Sequence, residues 1–583
     1  MFVNDTLGSY FDKTCDNYGN REAIVFPSMN IRYSYKQFKE LSNKLAKGLI
    51  ALGIKKDDHI AILELNSPIW IALQIAAAKI GCVIVCLNTG YTANELEYVL
   101  NHSESILLLL SSGYKRNSFI ENIKELCPEL EVCAPCTLKS ERIPKLKTII
   151  MTDNTEYNGT LTINKLIELG STVDNNALNN ITAKIDCQDL VSIQYTSGTT
   201  GNPKAVMSTH FSVVNNAIVS GGKLNYSADD KVLLCLPLFH VIGCVLSALS
   251  GLFYGSTIVV VERFETETVL QHIENEQCTF FNGVPSMFMF MLNHENLDSY
   301  NITSLNKGFV AGSCCSRELM LDIIEKLGIT ELANVFGQTE AIAITQTCFS
   351  DSLEQRLCTI GKPLDGVEAK VIDIITGENI GINQAGELCI KTVYLMKGYY
   401  KDTAATQKAI DKNEWLHTGD LAIIDDNGYI RIIGRVKDMI IRGGENISPV
   451  EIENHICLFD GIRDAAVVGI PDKLLGEEIF AFIIKEPSAQ FTFEEVREFL
   501  NKRLARFKIP KYFYFADSFP VTSSGKIRKF ALKEIAVKKL LLENKEKNVS
   551  VKNITKYNVT LALPSKTKFK IICQKSKILH YHN

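Results

Sequence analysis

The sequence predicts an α/β protein with a large N-terminal domain of two helix-covered sheets and a β-rich subdomain, followed by a small α+β domain. In the first half of the chain, segments with helical apolar spacing alternate with short apolar strands, an order typical of parallel sheets covered by helices. Beyond about residue 370, short strands with turn signals replace this alternation. After Gly434-Arg435 the pattern restarts as a smaller module of helices and strands. We therefore place domains at 1–434 and 435–535, with 536–583 as a poorly ordered, Lys-rich tail.

The N-terminal elements follow from apolar periodicity and from helix stop signals. Tyr35–Leu52 has leucine and phenylalanine residues at helical spacing and ends near Gly53, which predicts a helix. The elements after it are predicted as a strand at 60–63, a helix at 68–80, a strand at 83–87, part of a helix at 95–100 and a strand at 106–110.

One uncharged stretch, Val241–Val261, is long enough to cross a bilayer. Gly255 divides it, however, and the β-branched run Thr257–Val261 follows. We therefore predict a buried helix to about Tyr254 followed by a buried strand, and no transmembrane segment.

The second half is predicted from turn residues between short apolar runs. The predicted elements are strands at 387–391, 421–425 and 429–433 with a turn at Asn427-Gly428, then a helix at 450–458, strands at 465–469 and 479–484, a helix at 492–504 and a strand at 511–515.

Composition and charge exclude several functional classes. The net charge of −4 over 583 residues gives no basic excess for nucleic acid. The 17 cysteines are scattered and odd in number, unlike a secreted disulfide framework. Cys133 and Cys136 form a CxxC without a second spaced pair, so we interpret them as structural or incidental. The N-terminus has neither a basic start nor an apolar segment, which favours a cytoplasmic location.

The sharpest local motif runs from Tyr195 to Lys204, YTSGTTGNPK, between a predicted strand at 190–194 and a helix from about Phe211. Its glycines allow backbone N–H groups to turn inward, its hydroxyls add donors, and Lys204 adds a positive charge, so the segment is suited to cradle phosphates. It is not a Walker P-loop, because Pro203 and Ala205 occupy the positions of the second glycine and of the metal-binding hydroxyl.

Further motifs are spread over the next three hundred positions. They are LPLFHVIG with His240, FGQTE at 336–340, LHTGD ending at Asp420, GRVKD at 434–438 leading into IRGGEN at 441–446, and PVTSSGKIR with Lys526. Taken singly, His240 is explained as a core histidine, Asp420 as a turn residue and Lys526 as a solvated charge. Their combination in this order is far more specific than any one of them.

The set resembles the acyl-adenylate-forming superfamily, which includes acyl-CoA synthetases, beetle luciferases and the adenylation domains of peptide synthetases. The similarity extends from about Thr6 to about Leu532. The segments VAGSCCSRELM, GELCIKTVYLMKGYY, GRVKDMIIRGGENISPVEIE and FKIPKYFYFADSFPVTSSGKIRK most resemble the medium-chain acyl-CoA ligase branch, which in animals includes mitochondrial enzymes. The resemblance thus offers a mitochondrial location as an alternative.

The resemblance implies a fatty acid–CoA ligase that uses ATP, Mg²⁺ and coenzyme A and has a mobile C-terminal domain. It assigns the ATP phosphates to Thr196, Ser197, Gly198, Thr199, Thr200, Gly201, Asn202, Pro203 and Lys204; the adenine to Gly312, Ser313, Cys314 and Phe336; the α-phosphate to Thr339; Mg²⁺ to Glu340; the ribose to Asp420 and Arg435; the hinge to Lys437; the pantetheine tunnel to Gly444; and the acyl carboxylate to Lys526. His240, beside an apolar wall, is the remaining candidate catalytic residue.

The chemistry agrees with these roles. Attack of a carboxylate on an α-phosphate brings two anions together, and Lys526, a metal ion and the phosphate loop can screen that repulsion. A thiol must then replace Lys526, so the small domain is expected to swing about Lys437. Ala205, Phe336 and Cys314-Cys315 depart from the family pattern, but none of them replaces a charged catalytic group.

Other functions stay open at this point. An aryl or other carboxylic acid is the nearest alternative, because one methylene is worth only about 1–3 kcal/mol in an apolar pocket. A peptide-synthetase module is less favoured, since no carrier domain follows residue 535. A luciferase-like oxygenase shares the first half-reaction. A non-catalytic nucleotide-binding protein would have no need for Lys526, Glu340 and Asp420 together.

Overall fold

The computed structural model describes residues 2–114, 117–196, 203–443, 445–486, 489–521 and 527–546. The chain forms two compact units, Met1–Lys529 and Phe530–Asn583. In the second unit the described residues are helical as far as Glu546, and the rest of the predicted tail lies outside them.

Strands are numbered in chain order. They are β1 (Glu22–Phe26), β2 (Ile31–Ser34), β3 (His59–Leu63), β4 (Val83–Cys86), β5 (Leu107–Leu110), β6 (Gly113–Tyr114), β7 (Asn117–Ser118), β8 (Thr148–Met151), β9 (Leu161–Thr162), β10 (Leu190–Thr196), β11 (Lys204–Thr209), β12 (Lys231–Leu234), β13 (Thr257–Val260), β14 (Phe280–Gly283), β15 (Lys307–Ala311), β16 (Glu331–Gln338), β17 (Ile342–Gln346), β18 (Lys362–Pro363), β19 (Val367–Ile372), β20 (Gly386–Thr392), β21 (Gly398–Tyr399), β22 (Leu416–Ile424), β23 (Ile430–Arg435), β24 (Ile440–Arg442), β25 (Glu445–Ile447), β26 (Ile462–Asp472), β27 (Gly476–Lys485) and β28 (Tyr512–Phe515).

Helices are numbered in the same way. They are α1 (Leu7–Tyr18), α2 (Tyr35–Ala51), α3 (Pro68–Ile80), α4 (Ala93–Ser103), α5 (Phe119–Leu126), α6 (Ile163–Gly170), α7 (Asn175–Thr182), α8 (His210–Lys223), α9 (Ser250–Phe253), α10 (Thr266–Glu276), α11 (Pro285–Leu292), α12 (Arg317–Lys326), α13 (Leu353–Cys358), α14 (Thr403–Ala409), α15 (Pro449–Cys457), α16 (Phe493–Asn501) and α17 (Lys529–Glu546).

Two large sheets form the N-terminal region, which confirms the predicted α/β class. One has the order β18-β17-β16-β15-β14-β12-β13-β1-β2 and the other β21-β11-β10-β4-β3-β5-β8-β9. The first is parallel in the middle and antiparallel at both edges, whereas the second is antiparallel only at the edge formed by β11 and β21. Alternate residues of each strand point to opposite faces, so one apolar face of each sheet contributes to a shared core and the other packs under its own helices.

Helix α3 lies within the shared core. Its N-cap Ser67 accepts a hydrogen bond from the Trp70 N–H, Pro68 occupies the first turn, and Gly81 ends it at φ +74°. Apart from Ile69, every residue of the helix is buried, as expected for a helix enclosed on all sides. The predicted bounds of this helix are confirmed.

The β-rich part is a four-stranded antiparallel sheet of order β19-β20-β22-β23 that ends at Arg435. A separate sheet of order β25-β24-β27-β26, with β28 parallel to β27, follows from Ile440 and packs against α15 and α16. The change of sheet coincides with the boundary proposed at residue 435. The boundary itself stays a prediction.

The uncharged stretch Val241–Val261 divides as predicted. A π-helical segment, Ile242–Leu249, continues into α9, Gly255 has φ +81°, and strand β13 follows. The π-helical geometry was not predicted. Among the described residues, no helix is both long and apolar enough to cross a membrane.

The segment after the phosphate loop differs from its prediction. Helix α8 begins at His210, close to the expected position, but strand β11 precedes it and pairs antiparallel with β10. The loop therefore connects two strands of a hairpin and does not lead directly into a helix N-terminus.

Burial of His210 predicts a loss of stability in acid. The side chain is fully buried, and its Nδ1 accepts the Leu7 N–H at 3.1 Å, so the neutral ring is the form that fits. Burial lowers the pKa of His210 to about 4. Because the unfolded chain binds this proton near pH 6.5 and the folded chain does not, unfolding free energy should fall by about 3 kcal/mol as the pH drops from 6.5 to 4.

Chemical denaturation of wild type and of His210→Gln across this pH range would measure the effect, with His294→Gln as control. We expect the His210→Gln profile to be flatter by that amount and the control to follow wild type. An unchanged slope in His210→Gln would contradict the assignment.

Candidate active site

An apolar cleft joins two predicted site residues, His240 and Gly312. Its lining consists of Leu236, Pro237, His240, Ile242, Gly243, Val284, Met287 and Gly312. Gly312 has φ +88°, and a Cβ there would lie 3.0 Å from the Val284 Cγ1 atom. A side chain at position 312 would therefore narrow the cleft as well as strain the backbone. The structure thus brings the proposed adenine loop against the wall that contains His240.

The phosphate loop is anchored by its hairpin. Thr196 and Lys204 are paired across β10 and β11, and both are half-buried. Predicted residues Ser197, Gly198, Thr199, Thr200, Gly201 and Asn202 lie outside the described residues. Gln194, at the same end of β10, donates to the Phe239 carbonyl at 3.4 Å and so connects this strand to the His240 segment.

Residues 396–400 connect the phosphate loop to the proposed metal ligand. The Met396 N–H donates to the Glu340 carbonyl at 2.8 Å, and β21 pairs with β11. The Tyr399 hydroxyl donates to Glu340 Oε1 at 2.7 Å, and Lys204 Nζ lies 4.6 Å from the centre of the Tyr399 ring. Burial, reinforced by Glu340, raises the pKa of Tyr399, which keeps the hydroxyl protonated as a donor. Tyr399 was not predicted to belong to the site.

Thr339 and Glu340 lie in the turn between β16 and β17. Thr339 is buried and Glu340 half-buried, and the turn is tight because a Cβ on Gly337 would lie 1.9 Å from the Ile342 carbonyl oxygen. Phe336, two residues before the end of β16, is half-buried against the apolar core of the four-stranded sheet. Ser313 and Cys314 are exposed next to Gly312.

The predicted ribose ligands form an ion pair. Asp420 is 4% exposed, and its Oδ1 lies 2.6 Å from Nε of Arg435, which is partly exposed. Gln338 donates to Asp420 Oδ2 at 2.7 Å and to the Thr418 carbonyl at 2.8 Å. Both carboxylate oxygens thus have donors that fix their orientation. The cross-strand pairing of Asp420 with Arg435 in β22 and β23 explains the fifteen-residue spacing of the two motifs.

Glu387 supports the turn that carries Asp420, although no motif pointed to it. Its Oε1 accepts the Gly419 N–H at 3.1 Å, and its Oε2 lies 3.1 Å from His417 Nδ1. Gly419 has φ +68°, so this turn needs both the glycine and an acceptor for its N–H. The sequence did contain one signal for this role. Glu387 belongs to the segment GELCI on β20, and β20 pairs with β22, which carries LHTGD.

A search of the described residues for three or more side chains that could together bind a metal ion finds Glu387, Cys389 and His417. Their potential ligand atoms all lie within 4.8 Å of one another. Burial raises the pKa of Cys389 to about 12, so its thiol is protonated, which disfavours metal binding. We interpret the grouping as hydrogen-bonded support for Asp420. Cys133 is half-buried and Cys136 is exposed, and the interpretation of both as structural or incidental stays a prediction.

The proposed hinge and mobile lysine lie beyond Asp420. Lys437 is exposed in the short connection Val436–Asp438 between β23 and β24. Ser448, just before α15, donates to the Ile433 carbonyl and joins the C-terminal module to β23. Gly444 and Lys526 lie outside the described residues; Val521 and Ile527, on either side of the Lys526 segment, form a β-bridge.

Comparison with known families gives two matches. The AMP-binding enzyme family matches residues 11–400, and the AMP-binding enzyme C-terminal domain matches residues 451–526. The first covers most of the two large sheets, and the second covers most of the C-terminal sheet.

Relatives and solved structures agree with these matches. YngI of Bacillus subtilis (strain 168), an acyl-CoA synthetase by its name, is 41% identical over 93% of this chain and 99% of its own length. The medium-chain acyl-CoA ligase ACSF2, mitochondrial, of Rattus norvegicus is 37% identical over 91% of this chain and 88% of its own. The anthranilate CoA ligase AuaEII in complex with anthranoyl-AMP has the same fold, with a TM-score of 0.81 at 22% identity, over 92% of this chain and 98% of that one.

Replacing Glu387 should weaken AMP binding through Asp420. Glu387→Ala removes the acceptor of the Gly419 N–H, so the turn loosens and the dissociation constant for AMP should rise about 10-fold. Calorimetric titration with AMP would measure it. Glu368→Ala, an exposed glutamate on the same sheet, is the control, and pyrophosphate affinity should stay constant in both. Equal loss of AMP and pyrophosphate affinity would indicate general unfolding instead.

Proposed function

Because the chain belongs to the AMP-binding enzyme family and is an AMP-forming acid–CoA ligase, we propose that its acid is a medium-chain fatty acid. The proposal rests mainly on the similarity to the Rattus norvegicus relative, whose name gives a medium-chain acyl-CoA ligase. The apolar residues beside His240 and Gly312 support an apolar acyl group.

In the first step, a carboxylate oxygen of the acid attacks the α-phosphorus of ATP, the bond to pyrophosphate breaks, and acyl-AMP forms. Lys204 and Lys526 would screen the two anions, while Thr339 would donate to the α-phosphate. Asp420, which Arg435 and Gln338 hold in place, would accept hydrogen bonds from the ribose hydroxyls. Phe336 and the loop at Gly312 would contact the adenine. The carboxylate is the nucleophile, so no general base is needed.

Mg²⁺ fits the residues at the β16–β17 turn. Glu340 is half-buried, and the Tyr399 donor fixes one of its oxygens. A carboxylate of this kind, together with ATP phosphates, is a usual Mg²⁺ environment. Bound Mg²⁺ would supply charge neutralisation on the phosphates. Tyr399 and the Met396 N–H would keep Glu340 oriented toward that position.

In the second step, the CoA thiolate attacks the acyl carbon, the bond to the AMP oxygen breaks, and acyl-CoA and AMP leave. Lys526 must first withdraw, and rotation about Lys437 would remove it. The residues around Gly443 and Gly444 would then face the thiol arm, where small side chains leave room. His240 would lie beside the acyl group during both steps.

Pyrophosphate release from ATP and Mg²⁺ tests the function. With saturated acids from C4 to C16, we expect a maximum at medium chain length, faster release with CoA, and a loss of at least about 100-fold in Lys526→Ala. Lys502→Ala, an exposed lysine at the end of α16, should behave as wild type. If pyrophosphate release is fastest with aryl acids, the substrate is an aryl acid and not a fatty acid. If no acid causes release, the proposed function is refuted.

Tyr399→Phe tests the link between Glu340 and the phosphate loop. The ring stays under Lys204, but Glu340 loses a donor, so the Mg²⁺ concentration for half-maximal activity should rise about 10-fold. Tyr400→Phe is the matched control, because that hydroxyl bonds Glu104 at 3.2 Å and is not part of the proposed metal site. Identical magnesium curves for wild type and Tyr399→Phe would contradict the assignment.

A further inference from the structure

The segment that contains Lys526 is held at its two ends by backbone contacts. Val521 and Ile527 form an antiparallel bridge, and the Arg528 N–H donates to the Pro520 carbonyl at 2.8 Å. These contacts join the two ends of the segment to each other. A further contact is needed to fix the segment relative to the rest of the C-terminal module.

An ion pair between Lys529 and Glu453 supplies that contact. Lys529, three residues after Lys526, donates from Nζ to Glu453 Oε1 at 2.7 Å. The two side chains are 22% and 15% exposed, so the pair is largely shielded from solvent. The same oxygen of Glu453 accepts the Val467 N–H at 2.6 Å, which satisfies a backbone donor on the edge strand β26. The Lys526 segment is thus attached both to helix α15, which carries Glu453, and to the C-terminal sheet.

Helix α15 connects this ion pair to the proposed ribose ligands. The helix lies against β23, the strand that ends at Arg435. Ser448, immediately before the helix, donates to the Ile433 carbonyl on the same strand. Arg435 in turn pairs with Asp420. The ion pair therefore belongs to a continuous set of contacts between the Lys526 segment and the ribose-binding sheet.

Stability alone explains this ion pair poorly. An ion pair is weak evidence for stability, whether it lies near the surface or is buried. Lys526, in contrast, has to reach a position between two anions, and a misplacement of about 1 Å in such a site can cost about 100-fold in rate. The position that the pair gives to Lys529, and so to the nearby Lys526, is the better explanation.

We propose that Glu453 and Lys529 are positioning residues for the first step, and that their ion pair places Lys526 against the acid carboxylate and the α-phosphate. This inference rests on the proposed function, in which Lys526 acts in acyl-AMP formation and withdraws before the thiol step. Glu453 and Lys529 act only through Lys526. Loss of the pair should therefore slow the first step and leave the second unchanged.

The test measures the two half-reactions separately, in single turnovers with enzyme in excess. Acyl-AMP formation is followed from the preferred fatty acid with ATP and Mg²⁺, and the thiol step from the synthetic acyl-AMP with CoA. In Glu453→Gln, the amide oxygen can still accept the Val467 N–H, but the charge pair is lost. We expect acyl-AMP formation to slow about 10-fold and the thiol step to match wild type. Lys529→Met, which removes the other partner, should give the same result.

Glu451→Gln is the matched control. Glu451 lies on the same helix and pairs with a lysine of the same module, Lys508, at 2.7 Å, but this pair does not involve the Lys526 segment. Both half-reactions should match wild type in this variant. Single-turnover rate constants with enzyme in excess do not depend on the fraction of folded enzyme.

A double-mutant cycle separates positioning from a general structural role. In the Lys526→Ala background, Glu453→Gln should cause no further slowing of acyl-AMP formation, because the residue through which it acts is absent. A structural defect would add to the loss.

Three results would overturn the inference: equal slowing of both half-reactions, unchanged acyl-AMP formation in both Glu453→Gln and Lys529→Met, or a further loss in the Lys526→Ala background. In each case wild type would still form acyl-CoA. Absence of acyl-AMP from wild type with any acid would refute the proposed function, and this inference with it.

Discussion

The segment Met396–Tyr400 is the connection on which the arrangement of the site depends. It follows the strand β20 of the four-stranded sheet, donates to the Glu340 carbonyl in the β16–β17 turn, and adds β21 to the edge of the sheet that carries Lys204. Three sheets therefore meet within five residues. Because backbone hydrogen bonds are short and directional, Lys204, the proposed magnesium ligand Glu340 and the sheet that carries the proposed ribose ligands are held in one geometry. The Tyr399 side chain adds a contact to each side of this junction.

The carboxylates of the proposed site are held in place by hydrogen bonds before any ligand binds. Asp420 is buried but has Arg435 and Gln338 as donors, and Glu340 has Tyr399. Each carboxylate is thus oriented at little further cost on binding, which is the condition for electrostatic stabilisation of a phosphoryl transition state. Glu387 contributes indirectly to the position of Asp420. It accepts the Gly419 N–H and so supports the turn that precedes Asp420. The cleft beside His240 is the apolar counterpart of these charged groups.

Sequence reasoning predicted the elements whose signals are local. Helix α3 has Ser67, Pro68 and Gly81 at its ends, and its bounds agree with the structure, as does the division of Val241–Val261 at Gly255. Strand β11 was missed because Lys204–Thr209 acquires its conformation by pairing with β10 and β21, which lie apart in sequence or across a loop. Tyr399 and Glu387 were missed for the same reason: their contacts are with residues tens of positions away. The motif residues Asp420 and Arg435 were found through the family resemblance, and strand pairing explains their spacing.

The central claim is that the acid is activated as an acyl-adenylate in this site. It is tested most directly with a fatty acid carrying ¹⁸O in both carboxylate oxygens, incubated with ATP, Mg²⁺ and CoA. Attack of the carboxylate on the α-phosphorus and later cleavage of the acyl–oxygen bond must leave one carboxylate oxygen on the phosphate of AMP. Mass spectrometry of the product AMP is predicted to show one ¹⁸O per molecule. AMP without the label, or label in pyrophosphate, would contradict the mechanism.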